Sequence, residues 1–86
     1  MFKIFIHPTA DKELDRIPRD FRLAILDSIG KLQPLTHPLQ HPQVVKMRER
    51  KTKDFRLREG NYRVEFTLEN GNTLKVTEVK HRQAGY

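Results

Sequence analysis

The sequence predicts a small α+β domain in the order β-α-α-β-β-β-β, with two N-terminal helices packed on one face of a mostly antiparallel sheet. Three observations support this prediction. The 86 residues fit a single domain, residues 1–86, with one core. Apolar residues recur at helical spacing between residues 10 and 32. From residue 45 onward, apolar and polar residues alternate between Gly-Asn and Asn-Gly turn signals, as in β-hairpins.

The amino-acid composition narrows the functional classes. The chain has no cysteine, which excludes disulfide bonds and thiolate metal sites. No apolar run approaches the roughly 18 residues of a membrane-spanning helix. The N-terminal apolar stretch is also too short for the core of a signal peptide. We therefore expect a cytoplasmic protein without a membrane partner.

The N-terminal third is expected to hold one strand and two helices. The strand covers residues 2–6. Thr9 is a favourable N-cap for the first helix, which Pro18 interrupts. The second helix runs from about residue 19 to residue 32, and its apolar side is expected to pack on the sheet. The apolar side consists of Phe21, Ala24, Ile25, Ser28, Ile29 and Leu32, widened by Leu23 and Leu26.

A proline-rich loop over residues 33–43 separates the helices from the remaining strands. It contains two histidines four residues apart, His37 and His41, a spacing that suits a metal ion when both lie on one helix. The prolines next to them prevent a regular helix here. We therefore predict surface histidines and no metal site.

The register of the first hairpin follows if Gly60 and Asn61 form a two-residue turn. Arg58 then faces Arg63 across the two strands, and Leu57 faces Val64. Facing residues share one side of a sheet. The predicted apolar face consists of Phe55, Leu57, Val64 and Phe66, and the predicted open face of Arg56, Arg58, Arg63 and Glu65.

The second hairpin tests this register. A two-residue loop after Glu69 would pair Phe66 with Lys75 and mix the apolar and open faces. A three-residue loop over residues 70–72 pairs Phe66 with Val76, and the faces agree. This register adds Thr67, Lys75 and Thr77 to the open face.

The charge of the chain indicates a polyanion or an acidic protein as its partner. The net charge is +6, from 17 Lys and Arg against 11 Asp and Glu. Residues 41–86 carry 11 basic and 6 acidic residues, so the excess lies in the second half. Basic patches of this kind bind nucleic acid or acidic proteins. Besides the open-face arginines Arg56, Arg58 and Arg63, we expect further basic residues to contact RNA. They are Lys46, Arg48, Arg50, Lys51 and Lys53.

The arginines of the open face suggest phosphate chemistry. Arg58 opposite Arg63 is expected to cost up to about 1 kcal/mol, and Glu65, which faces Arg56, is expected to leave that pair uncompensated. A chain that retains this cost is expected to bind an anion there. Arginines bind phosphate and stabilise the charge that develops when an RNA 2′-hydroxyl attacks its own phosphodiester. That reaction needs a base and an acid but no metal or cofactor.

Two sequence blocks together carry a family resemblance. The segment F-R-L-R-x-G-x-Y-R-V spans residues 55–64, and the chain ends in H-R-x-x-x-Y over residues 81–86. With Leu74-Lys75-Val76 between them, this combination resembles the RelE/ParE toxin superfamily, in its RelE branch. The resemblance extends over essentially the whole chain and implies the same α+β fold.

The resemblance also implies a function and its residues. It implies an mRNA interferase, an endoribonuclease acting in the ribosomal A site on mRNA, neutralised by an acidic or amphipathic antitoxin in a hetero-oligomer. The residues that match its site are Arg56, Arg58, Arg63, Arg82 and Tyr86, with His81 as a second candidate for proton transfer. In the best-known RelE toxin the two third-strand positions are lysines. Arginines stay protonated, so here we expect charge stabilisation from them.

Two other functions remain open at this point. ParE-type relatives share the fold but bind DNA gyrase and are not nucleases. A non-catalytic RNA-binding module would use the same basic surface. Codon preference, the antitoxin and the oligomeric state are not determined by the sequence.

Overall fold

The computed structural model describes residues 1–47 and 54–82. Within these residues, five strands form one sheet in the order β1-β5-β4-β3-β2. The elements are β1 (Lys3–Ile6), α1 (Pro8–Asp15), α2 (Arg19–Gly30), β2 (Val44–Lys46), β3 (Asp54–Glu59), β4 (Tyr62–Glu69) and β5 (Thr73–His81). β1 runs parallel to β5 and the other pairings are antiparallel. The predicted α+β fold and element order are confirmed.

The core lies between the two helices and one face of the sheet. Apolar residues of every strand and of both helices meet there, so burial of apolar surface is the main stabilising term. Its buried side chains in the described residues are Phe2, Ala10, Leu14, Ile17, Ile25, Ile29, Leu32, Val44, Phe55, Leu57, Val64, Phe66, Leu74, Val76 and Val79. None of the helices formed by the described residues is long and apolar enough to cross a membrane.

Both predicted hairpin registers are confirmed. Arg58 pairs with Arg63 across the β3–β4 turn, where Gly60 has a φ of +58°. Phe66 pairs with Val76 across the β4–β5 turn, as the three-residue loop requires. Glycine is suited to such turns because a left-handed φ costs it no Cβ clash.

The pairing of β4 with β5 contains a β-bulge that the sequence analysis missed. The predicted register would pair Thr77 with Glu65, but Glu65 pairs with Glu78, and the register shifts between Glu65 and Phe66. Thr77 still lies beside Glu65, because its hydroxyl donates to the Glu65 carbonyl at 3.2 Å. The reason is the spacing of Val76 and Val79, which are three residues apart and both buried. Strict alternation would put one of them in solvent, and an extra residue returns the chain to register.

The first helix has a different N-cap from the one predicted. The cap is His7, whose Nδ1 accepts a hydrogen bond from the Thr9 backbone N–H at 3.1 Å. Pro8 occupies the first helical position, where its missing N–H costs nothing. Thr9 therefore lies inside the helix. The predicted break at Pro18 is confirmed, since Pro18 is the N-cap residue of α2.

The apolar side of α2 is narrower than predicted. Ile25, Ser28 and Ile29 are buried, but several residues expected in the core remain exposed. These are Phe21 (57%), Leu23 (50%) and Leu26 (37%), together with Ala24. A single helix contacts a sheet along one line, and at 100° per residue Leu23 and Leu26 point away from Ile25. Leu23 and Leu26 form an apolar surface of α2 that faces solvent.

His41 was predicted at the surface and is instead buried, with 3% of its area exposed. Its Nδ1 accepts a hydrogen bond from the Gln43 backbone N–H at 3.1 Å, so Nε2 carries the proton. Nε2 lies 3.2 Å from the Ser28 carbonyl oxygen, to which it donates. His41 thus joins the proline-rich loop to α2. The other loop histidine, His37, is exposed and caps the short 3₁₀-helix Pro38–Gln40.

The edge strand β2 is oriented by Val44. Val44 is buried and pairs with Leu57, whereas Val45 is half exposed and pairs with Arg56 on the other face. Lys46 is exposed and pairs with Phe55. It therefore lies at the sheet edge on the helix-covered side, away from the arginines.

A matched pair of glycine variants tests the turn geometry. Gly60→Ala is expected to destabilise the protein by about 1–2 kcal/mol, because a Cβ is strained at positive φ. No atom lies within 4 Å of the position of that Cβ, so the cost is in the backbone alone. Gly30→Ala, at the end of α2, also meets open space and is expected to stabilise by about 0.4–1 kcal/mol. Urea unfolding measures both, and equal effects would contradict the turn geometry.

Candidate anion-binding site

Three arginines line one hollow at the end of the sheet where the β3–β4 turn meets the end of β5. Arg58 and Arg63 are brought there by the hairpin register. Arg82 follows β5, and its backbone N–H donates to the Asn61 carbonyl at 2.6 Å, which fixes the chain beside the turn. The hollow has a volume of about 80 Å³. Its lining residues are Arg58, Gly60, Asn61, Tyr62, Arg63 and Arg82. We call it the arginine hollow.

Arg58 also borders a second, wider hollow of about 390 Å³. This hollow is lined by Pro42, Gln43 and Val45 together with Arg58 and Gly60. The Arg58 backbone N–H donates to the Gln43 carbonyl at 3.1 Å, so the buried His41 holds this wall in place through Gln43. The exposed Arg58 therefore lies between two depressions.

Arg63 has a carboxylate partner that the sequence analysis did not assign to it. Its Nε lies 3.4 Å from Oε2 of Glu65, and the two side chains are only 12% and 9% exposed. Glu65 was predicted to leave the Arg58–Arg63 pair uncompensated, and that expectation is wrong. The two residues are two apart on β4, so their side chains lie on the same face and meet along the strand.

Arg56 occupies the predicted position on the open face. It pairs with Glu65 on β4 and with Val45 on β2. Its Nε is buried and has no hydrogen-bond acceptor among the described residues. Arg56 lies next to the arginine hollow along β3 but does not line it.

A second glutamate on the open face results from the bulge. Glu78 lies directly opposite Glu65. Burial, the charge of Glu65 and a hydrogen bond with Glu65 raise the pKa of the Glu78 carboxyl, because each makes ionisation less favourable. Val76 and Val79 are an odd number of residues apart, which breaks the alternation of β5. This was the sequence signal that would have placed Glu78 on the open face.

Lys80 is drawn away from Arg63, the residue opposite it. Its Nζ lies 2.7 Å from Oε2 of Glu13 on α1, and the hydrogen bond and charge of Glu13 raise the pKa of Lys80. The other Glu13 oxygen accepts the Val79 backbone N–H at 2.9 Å. Glu13 thus accepts a backbone N–H on the edge of β5, beyond the point where β1 ends.

His81 lies on the other side of β5 from Glu78 and Lys80. It pairs with Tyr62, and their rings meet edge to face with centroids 5.1 Å apart. Tyr62 in turn contacts Phe21 of α2, with ring centroids 5.9 Å apart. Tyr62 also lines the arginine hollow, a role that was not assigned to it from the sequence. The structure therefore connects His81 to the site through Tyr62.

Several predicted site residues lie outside the described residues. They are Tyr86 and the basic residues Arg48, Arg50, Lys51 and Lys53. Among residues 1–47 and 54–82, no group of three or more His, Asp or Glu side chains is placed to hold a metal ion.

Comparison with solved structures identifies the fold. The chain is similar to RelE in a RelB–RelE antitoxin–toxin complex from Methanococcus jannaschii, with a TM-score of 0.80, 23% identity and coverage of 95% of this chain and 94% of that chain. A RelE–RelB complex from Pyrococcus horikoshii gives a TM-score of 0.77, 23% identity and coverage of 94% of each chain. The RelBE2 complex from Mycobacterium tuberculosis gives 0.73, 22% identity and coverage of 94% and 98%.

Sequence comparison identifies the family. No curated protein matches the chain. The family model described as the ParE toxin of type II toxin-antitoxin systems, parDE, matches residues 4–86. That match covers nearly all of the sequence, including both helices and, apart from Lys3 at the start of β1, every described strand. The chain therefore belongs to the ParE toxin family of type II toxin-antitoxin systems, within the RelE/ParE superfamily.

Proposed function

We propose that this toxin is a metal-independent endoribonuclease of the RelE type, which cleaves mRNA in the ribosomal A site in the cytoplasm. The observation that carries the proposal is the arginine hollow, where Arg58, Arg63 and Arg82 converge. Three guanidinium groups suit a phosphodiester, because each presents paired N–H donors to phosphate oxygens.

The chemistry assigned to this site is transfer of the phosphoryl group within the RNA. The 2′-oxygen attacks the adjacent phosphorus, a new P–O bond forms, and the bond to the 5′-oxygen breaks. The products are a 2′,3′-cyclic phosphate and a 5′-hydroxyl. Negative charge increases on the phosphate oxygens in the transition state, and the arginines stabilise it there. Only RNA has the attacking hydroxyl.

Proton transfer falls to residues other than the arginines, which remain charged. One group removes the proton of the 2′-hydroxyl and another donates a proton to the leaving 5′-oxygen. His81 and Tyr86 remain the candidates. The ring contact of His81 with Tyr62 links it to a residue that lines the hollow, and an imidazole can both accept and donate a proton.

We also propose that an antitoxin protein binds this toxin in a hetero-oligomer. Two surfaces support this. The apolar surface of α2, formed by Leu23 and Leu26, remains exposed, and exposed apolar patches commonly mark interfaces. The second half of the chain carries most of the positive charge, which favours an acidic or amphipathic segment.

A ParE-type toxin that acts on DNA gyrase is the second candidate. The family model that matches residues 4–86 is the one described for ParE, and this observation favours it. Purified toxin added to translating ribosomes separates the two. The proposed nuclease yields mRNA cut within A-site codons, whereas a ParE-type toxin leaves mRNA intact and inhibits gyrase supercoiling. Intact mRNA on stalled and translating ribosomes would contradict the nuclease.

The Arg58→Ala variant tests the role of the arginine hollow. Loss of a group that stabilises transition-state charge is expected to lower the cleavage rate by about 10²–10³-fold, or about 2.7–4 kcal/mol. The fold should be retained, because the Arg58 side chain is exposed. Single-turnover cleavage on programmed ribosomes measures the rate and thermal melting checks the fold.

Arg19→Ala is the matched control for Arg58→Ala. It removes the same charge from the exposed first turn of α2, on the other side of the sheet. We expect less than a threefold change in cleavage. Equal losses in the two variants would show that only net charge matters and would contradict a localised site.

Antitoxin binding is expected to depend on ionic strength. Charge complementarity speeds association, and salt screens it beyond a Debye length of about 10 Å at 0.1 M. The association rate with the cognate antitoxin should therefore fall by tenfold or more between about 0.05 and 0.5 M salt, as measured by stopped-flow fluorescence. A rate independent of salt would place the contact on the apolar surface of α2 alone.

A further inference from the structure

Two glutamates beside the arginine hollow have no role in the chemistry above. Glu65 and Glu78 are directly opposite each other on β4 and β5. Like charges in such positions repel, and the Glu65 side chain is only 9% exposed. The Glu78 side chain is 37% exposed, so water screens part of the repulsion, and cations or a shared proton offset the rest.

The cations are arranged unequally around the pair. On β4, Arg63 approaches Glu65 with Nε at 3.4 Å, and on β3 Arg56 is the residue opposite Glu65. Arg63 therefore offsets the charge of Glu65 by direct contact, and Arg56 adds a positive charge at the facing position of β3. Arg63 also lines the arginine hollow, so the carboxylate that contacts it restrains a guanidinium of the proposed binding site.

Glu78 has weaker support for its charge. On its own strand, Lys80 approaches it only to 3.8 Å, and that lysine is bound at 2.7 Å by Glu13 of α1. Arg16 of α1 acts on Lys80 as a further nearby positive charge. Burial and the charge of Glu65 raise the pKa of Glu78, and a hydrogen bond between the two carboxyls acts in the same direction. Glu78 is thus the member of the pair that binds a proton.

We propose that Glu65 and Glu78 form a carboxylate pair that positions Arg63 and couples anion binding in the arginine hollow to the uptake of one proton from solvent. Glu65 is the positioning residue and Glu78 the proton acceptor. The coupling requires only an anion in the hollow. Its identification as RNA phosphate rests on the proposed function.

The coupling follows from linkage. A phosphate held by Arg63 adds negative charge near Glu78 and shares the cation that offsets Glu65. Ionisation of Glu78 then becomes less favourable, so the complex binds a proton more tightly than the free protein does. By reciprocity, protonated Glu78 favours the anion. Affinity therefore falls as pH rises through the pKa of Glu78, by at most about tenfold per pH unit for one proton.

The experiment uses a fluorescent RNA oligonucleotide with 2′-O-methyl groups, which binds but cannot be cleaved by 2′-hydroxyl attack. Fluorescence anisotropy gives Kd between about pH 5 and about pH 8 at constant ionic strength, a range in which histidines also titrate. Glu78→Gln is expected to remove part of the pH dependence and to keep tight binding at the upper end. Inorganic pyrophosphate, measured by calorimetry, serves as a second probe of the same hollow.

Glu69→Gln is the matched control. Glu69 lies further along β4, where it pairs with Thr73 and contacts Lys75 at 3.5 Å. This variant removes one negative charge from the same strand, so it should tighten binding uniformly and preserve the wild-type pH slope. Glu65→Gln should weaken binding through loss of the Arg63 contact, and Glu65→Asp should restore part of it.

Carboxyl ¹³C NMR titration tests the pair without any ligand. Glu78 should titrate above an ordinary glutamate, and Glu65→Gln should lower its pKa toward the usual value. Because the pKa is raised in the folded protein, ionisation of Glu78 destabilises the fold as pH rises through that pKa. Glu78→Gln should therefore raise Tm near neutral pH but not below about pH 4.

The outcomes separate the two proposals. An unchanged pH slope in Glu78→Gln, or ordinary titration of Glu78, overturns the carboxylate pair. Failure of the RNA probe to bind at any pH contradicts the proposed function. In that case, pyrophosphate binding whose pH dependence is reduced in Glu78→Gln still supports the pair, and pyrophosphate binding with the same pH dependence in both proteins, or no binding, overturns it.

Discussion

The site depends first on the two-residue turn at Gly60. This turn sets the pairing of β3 with β4. The resulting register determines which side chains lie on each of the two faces of the sheet. Leu57 and Val64 are completely buried, while Arg58 and Arg63 meet on the opposite side. A slip of one residue would expose the apolar pair and bury the arginines. The hydrophobic effect therefore holds the cations together, since the core fixes the register and the register fixes their positions.

Electrostatic balance on the open face follows from this constraint. Arginines forced onto neighbouring strands repel, and the face offsets the repulsion with carboxylates. Glu65 contacts Arg63, and Glu13 reaches from α1 to bind Lys80. Arg58 stays exposed between two hollows. On this face, the Glu65 carboxylate therefore restrains Arg63, whereas Arg58 is available to a ligand.

The proline-rich loop contributes through a buried histidine. His41 connects the Ser28 carbonyl of α2 to the backbone of Gln43, and the Gln43 carbonyl accepts the backbone N–H of Arg58. A buried polar side chain is stable only when its hydrogen bonds are made. This chain of contacts joins α2 to β3 and places the loop next to Arg58. The apolar surface of α2 remains uncovered on the outside of the same helix.

The sequence by itself determined the α+β class, the element order, both hairpin registers and the placing of Arg56, Arg58 and Arg63 on one face. It did so because alternation and turn residues are local signals that the core reinforces. Only the tertiary structure decided the β-bulge, the pairing of Glu65 with Glu78, the partner of Arg63 and the burial of His41. Those features depend on which side chains from distant segments share the same space. A bulge is set by the fit of Val76 and Val79 to the helices, and a histidine is buried when a helix carbonyl and a loop N–H meet both of its ring nitrogens. Apart from the odd spacing of Val76 and Val79, which signals the bulge, periodicity along the chain contains no information about such encounters.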